Sequence, residues 1–192
     1  MNPQRVPLTA ASEAVQAMRR IQRLSRILAL ACLILIALLP VIVAIYWAVA
    51  DVGALALRAN LPADAIRGDL MAWQRMAGAL ISEGPLALLL IGLWEARKCF
   101  NQFSAGQVFN SQAVLFLRHF AGWFMASVLA GIAATTAVSV LLTLQNAPGL
   151  RHVSVAIGSD QIFMFFFAGM VWLMAAIIGQ GQLLAEENAT FI

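Results

Sequence analysis

The sequence predicts an all-α polytopic membrane protein, a bundle of four transmembrane helices preceded by an N-terminal amphipathic helix. Three observations predict it. Four apolar stretches, at about residues 27–49, 76–94, 120–144 and 162–184, each approach the ~20 residues that a helix needs to cross a hydrocarbon layer about 30 Å thick. Runs of this length are read as helices, because a helix satisfies every backbone N–H and C=O without water. The composition agrees: 62% of the 192 residues are hydrophobic and 11% charged, where soluble domains carry about 25%. Finally, the basic residues flank the apolar runs instead of interrupting them. Residues 1–26 are thus a cytoplasmic basic amphipathic segment, and 27–192 a membrane domain with a short cytoplasmic tail, with too little chain outside the spans for a separate soluble domain.

The N-terminal segment has helical periodicity. Val15, Met18, Ile21 and Leu24 recur on one face, while Arg19, Arg20, Arg23 and Arg26 crowd the turns next to the first span. Such a helix either lies in the interface against anionic lipid or simply continues the first span into the cytoplasm, and continuation is the simpler reading. In the first span, Pro40 removes one helical hydrogen bond, which membrane bundles tolerate. Ala48-Val49-Ala50 resembles a signal-peptidase site, but the preceding run exceeds the about 7–15 residues of a signal-peptide core, so an uncleaved anchor is expected.

Charge asymmetry orients the spans. Arg5, Arg19, Arg20, Arg23 and Arg26 precede the first span and Arg97, Lys98 and Arg118 lie between the second and third, whereas the other connections hold Arg58, Arg67, Arg75 and Arg151. The positive-inside rule then places both termini of a multi-pass cell-membrane protein in the cytoplasm. Trp47, Trp73, Trp94 and Trp123, near span ends, fit an interfacial aromatic belt.

Within the second span Glu83 stands out beside Gly84-Pro85, because an ionised carboxylate at that depth costs several kcal/mol unless it pairs, protonates or meets water. Two readings stay open: a structural carboxyl, protonated or held by hydroxyls such as Ser127, Thr135 or Thr136 or near enough to the outer interface to reach water, and an intramembrane polar site. The third span carries Ser127, Gly131, Thr135 and Ser139 at four-residue intervals beside Ala126, Ala130 and Ala134, a small-residue ridge that should face the bundle core. Phe163, Phe165, Phe166 and Phe167 make the fourth span bulky and are read as lipid-facing or packing residues.

Several function classes are disfavoured. The net charge of +3 reflects span-flanking arginines, with no basic patch interleaved with aromatics, so direct nucleic-acid binding is not expected. Cys32 falls in the first span and Cys99 on what reads as a polar loop, so neither a disulfide between them nor a metal site is expected. His119 and His152 fall on opposite sides of the membrane. No HExxH, nucleophile elbow, P-loop or dinucleotide fingerprint occurs, so neither enzymatic activity nor a cofactor is expected.

The stretches after the second and fourth spans carry motifs. Phe103-Ser104-Ala105-Gly106-Gln107-Val108-Phe109-Asn110 continues to Leu117-Arg118 and Gly122, and the chain closes with Gly181-Gln182-Leu183-Leu184-Ala185-Glu186-Glu187-Asn188 before Phe191-Ile192. Gly106 permits a turn with positive φ between the two phenylalanines, and Asn110 or Ser111 can cap the helix entering the third span. The tail from Gln180 should extend the fourth helix and present Glu186 and Glu187 beside the N-terminal arginines. With four spans, these motifs resemble the F-x-x-G-x-x-F-[ST/N]…L-R-x-x-G loop and closing G-x-x-L-x-x-E-N of the DUF2975 family of small bacterial membrane proteins. The chain departs from that pattern at Ala113-Val114, where no polar residue stands, between Arg118 and Gly122, which three residues separate instead of two, and at Ala189-Thr190, where many members have an acidic-hydrophobic pair.

The resemblance implies a membrane component without enzymatic activity, paired with a small helix-turn-helix regulator of the Xre type that it sequesters or signals to. The residues expected to meet that partner are Arg19, Arg20, Arg23, Phe103, Gly106, Phe109, Asn110, Glu186, Glu187, Asn188, Phe191 and Ile192. The alternative is a small transporter or ligand-sensing bundle built around Glu83, as a homo-oligomer.

Overall fold

The computed structural model describes the backbone of residues 8–62, 65–66, 70–107, 110–146, 151–155 and 157–190, and side chains from residue 15 to residue 181 within those ranges. Its elements are α1 (Leu8–Val49), α2 (Val52–Arg58), α3 (Ala72–Ser104), α4 (Ser111–Thr143) and α5 (Ser159–Thr190). Among the described residues there is no strand, and four of the helices are long and apolar enough to cross a membrane. The protein is an all-α, multi-pass membrane bundle, and a lipid bilayer is the environment its apolar surface fits.

Each long helix outruns the apolar stretch from which it was read. At 42 residues α1 is about 63 Å long, twice a hydrocarbon core, so the basic N-terminal segment is a direct continuation of the first span and not a separate interfacial helix. Likewise α3 runs on through Arg97, Lys98 and Cys99 to Ser104, and Arg118 and His119 are already within α4. Cys99, expected on a loop, is a helical residue 1% exposed; both cysteines are free. The physical reason is that apolarity marks where lipid ends, whereas a helix ends only at a breaker, and none stands between Glu95 and Ser104.

Packing follows chain order. α1 packs on α3, α3 on α4 and α4 on α5, with α1 and α5 at the edges of the series and no comparable packing between those two among the described residues. The least exposed residues of α1 include Gln22, Ser25, Ala29, Cys32, Ile36 and Val43, at alternating spacings of three and four once Leu39 is counted. This is a narrow seam in which the small Ser25, Ala29 and Cys32 let two membrane helices approach closely while the other faces meet lipid. α5 repeats the device with Ala168, Ala175 and Gly179 turned inward, and Phe163 and Phe166 exposed. The Phe167 ring lies edge-on to Phe124 of α4, centroids 6.0 Å apart.

The densest apolar core lies at one end, beneath α2. There Trp47, Leu55, Ala56, Ala59, Leu61, Ala65, Val138 and Leu142 form one cluster. Asp51 caps α2, its Oδ1 accepting the Ala54 N–H at 2.6 Å. Asn60 ends α2 with φ +52°, and the bonds Asn60 N–H to Leu57 C=O and Leu61 N–H to Ala56 C=O form a Schellman motif with asparagine in the left-handed position. Trp47, expected in an interfacial belt, is only 2% exposed and belongs to this core; Trp73, near the start of α3, and Trp94 and Trp123, well inside α3 and α4, remain exposed.

Candidate functional site

The two ends of the bundle differ in construction. At the basic end, α3 terminates in a second Schellman motif: Gly106 has φ +83°, its N–H bonds the Phe103 C=O at 3.0 Å, and the Gln107 N–H bonds the Gln102 C=O at 3.0 Å. Asn110 then starts α4, its Oδ1 accepting the Gln112 N–H at 3.1 Å while its Nδ2 donates to Gln107 Oε1 at 3.1 Å. The Phe103-to-Asn110 motif is therefore a helix stop followed by a helix start. Asn110, not Ser111, is the cap.

That turn is seated on α1. A Cβ built on Gly106 would lie 3.2 Å from Gln22 Nε2, so glycine serves both the left-handed backbone and the close approach. Flanking Gln22 on α1, Arg19, Arg20 and Arg23 are exposed and, with Gln16, line a shallow groove. None of the three has an ion-pair partner among the described residues. Phe109, Phe191 and Ile192 lie outside the described residues. Glu186, Glu187 and Asn188 lie on the helical backbone of α5, but their side chains, and hence the pairing expected with the arginines, also lie outside them.

Just inside this end sits a polar collar not read from the sequence. Glu95, with its side chain 12% exposed, bonds Lys98 at 2.7 Å through Oε1 and faces His119 Nδ1 at 3.7 Å through Oε2, joining α3 to α4. The cations rest on aromatic rings: Arg97 over Trp94 at 5.0 Å, Lys98 over Phe116 at 5.5 Å and Arg118 over Trp172 at 5.3 Å. The three-residue spacing of Glu95 and Lys98 was the available signal.

The capped end is held by buried polar side chains. Gln74, 1% exposed, donates to the Leu141 C=O at 3.2 Å and accepts the Met71 N–H at 3.0 Å. Asn146 donates to the Ala65 C=O at 2.7 Å, and Arg75 donates to the carbonyls of Trp47 and Ala50 at the end of α1. The segment 151–155 is strapped across α4 by the His152 N–H to Thr143 Oγ1 and the Ser154 N–H to Ser139 Oγ. Ser154 Oγ–H donates in turn to the Asn60 C=O at 3.0 Å. Every one of these bonds replaces a backbone partner that a loop would otherwise take from water.

Glu83 is partly exposed, next to the exposed stripe Met76, Leu80, Ala87 and Ile91 of α3. The hydroxyls expected to hold it are used elsewhere: Ser127 donates to the Pro85 C=O at 2.7 Å, Thr135 to Gly131 C=O and Thr136 to Ile132 C=O. Glu83 has no hydrogen bond or ion pair among the described residues. The small-residue ridge does face inward, Ser139 being fully buried and Ser127 bridging α4 to α3. No three His, Cys, Asp or Glu side chains gather among the described residues to hold a metal ion.

No family model, curated protein or solved structure matches this chain. The resemblance drawn above rests on its two motifs and four spans alone.

Proposed function

We propose that this protein is a non-enzymatic membrane regulator that holds a soluble helix-turn-helix transcription regulator at its basic, cytoplasmic end. The observation that carries this reading is the seat of the Gly106 turn on Gln22, which joins the connection between α3 and α4 to the arginine-bearing extension of α1. It makes one surface of two motifs far apart in sequence, with the exposed Arg19, Arg20 and Arg23, which have no ion pair among the described residues, beside it. The positive-inside rule supports a cytoplasmic position for this end. Exposed arginines favour a partner with an acidic face, through charge that steers and orients more than it binds.

Affinity capture of the full chain in nanodiscs tests this. The expected result is a co-purifying helix-turn-helix protein that is lost at raised salt, lost when Arg19, Arg20 and Arg23 are changed together to Gln, and lost on truncation after Ala185. Retention of no such regulator by the intact chain rejects the reading. The second reading, a transporter or ligand-sensing bundle using Glu83, is favoured by one observation: the carboxyl has no partner at membrane depth among the described residues.

A further inference from the structure

Between α1, α3 and α4, below α2, lies a cavity of about 110 Å³. Its apolar wall includes Trp47, Pro85, Ala134 and Val138, and its polar groups are the hydroxyls of Ser82 and Thr135 and the guanidinium of Arg58. Glu83 does not line it. The hydrogen-bond inventory narrows what can enter. Trp47 Nε1–H is committed to Ser82 Oγ at 3.0 Å, Ser82 Oγ–H to the Gly78 C=O at 2.8 Å, and Thr135 Oγ1–H to the Gly131 C=O at 2.9 Å. With all three protons in use, the donors left to a guest belong to Arg58.

Arg58 is placed to use them. It lines the cavity while exposed, so it stands at the opening, and its Cζ lies over the Tyr46 ring, 5.2 Å from the centroid. This cation–π contact holds the group near the opening, and Arg58 has no ion pair or hydrogen bond among the described residues, so its N–H groups are available to a guest. The space is unfilled on the α4 side also: a Cβ built on Gly131 meets nothing within 4 Å.

We infer that this cavity is a binding site for a small anionic amphiphile, whose acidic head pairs with Arg58 and whose short apolar body lies against Trp47, Pro85 and Val138. A cavity of about 150 Å³ admits benzene, so this volume takes a chain of about four to six carbons. The same chemistry is available from a free short-chain carboxylate or from an anionic phospholipid of the surrounding leaflet. The site is independent of the docking role proposed for the other end.

The test uses the full chain in phosphatidylcholine nanodiscs, titrated with hexanoate, with hexanol and hexylammonium as controls, and followed by calorimetry and tryptophan fluorescence. Hexanoate should bind in preference to both controls. Arg58→Gln should weaken it about tenfold to a hundredfold, the worth of a charge-assisted hydrogen bond. Gly131→Val, which fills the space without touching Arg58, should weaken it as well, and unchanged thermal unfolding of both variants excludes misfolding as the cause. In discs containing phosphatidylglycerol, loss of hexanoate binding through competition, or lipid retained by the wild type and not by Arg58→Gln, assigns the leaflet as the source. Binding of neither hexanoate nor phosphatidylglycerol, or binding that both variants leave intact, overturns the proposal.

Discussion

Gly78 of α3 presents its bare Cα to the indole of Trp47, so closely that a Cβ there would overlap the six-membered ring. Trp47 is buried and cannot swing out without breaking its bond to Ser82 and vacating the core beneath α2. Gly78→Ala should therefore destabilise by about 1–3 kcal/mol, the usual cost of overpacking. Gly122→Ala, where an added Cβ meets nothing within 4 Å, should be neutral or stabilise by up to about 1 kcal/mol through helix propensity. Thermal unfolding in detergent, followed by tryptophan emission, distinguishes the two; equal effects would refute the contact.

Gly106→Ala should cost about 1–2 kcal/mol, because an L-residue must then hold φ +83° and its Cβ meets Gln22. Changing Gln22 to Ala in the same chain should relieve only the steric part. A double-mutant cycle read from unfolding temperatures measures the split.

Gln74→Met keeps the volume of a buried side chain but leaves the Leu141 carbonyl and the Met71 N–H without their partner. The expected loss is about 1–3 kcal/mol. Faster hydrogen exchange at the 141–146 end of α4, with the Gly106 end unaffected, would localise it.

Glu83→Gln should leave the unfolding temperature unchanged or raise it, since the carboxyl has no partner to lose among the described residues and the amide carries no charge into lipid. If this well-folded variant releases the captured regulator or loses transport, Glu83 is a functional group.

Reporter fusions after Arg26, within residues 105–110 and at Ile192 should report the cytoplasm. Fusions near Ala63 and Arg151 should report the opposite side. The basis is the placement of Arg19, Arg20, Arg23, Arg26, Arg97, Lys98 and Arg118 at one end of the bundle. An external reading at Ile192 contradicts the topology.

The spans were legible because lipid imposes a length and an apolarity that few other environments ask for. The Gly106 turn and the Asn110 cap were legible because each is a local device, made within a few residues of itself. Helix ends such as Ser104 were not, since the water-facing turns from Glu95 onward carry no breaker. Trp47 was misread because an aromatic at a span end looks the same whether it faces headgroups or a glycine on another helix. The cap was invisible for the same reason: Gln74 meets Leu141, and Asn146 meets Ala65, across 67 and 81 residues of chain. Arg58 reads as one loop cation among several until α2 carries it to the cavity opening.

The serial packing of α1 on α3, α3 on α4 and α4 on α5 also bears on biogenesis. Each span after the first packs on the one delivered to the bilayer just before it, so assembly can keep pace with translation. The helix α5 is gripped from one side, by α4, so its arrival adds to the bundle without reopening what has already closed.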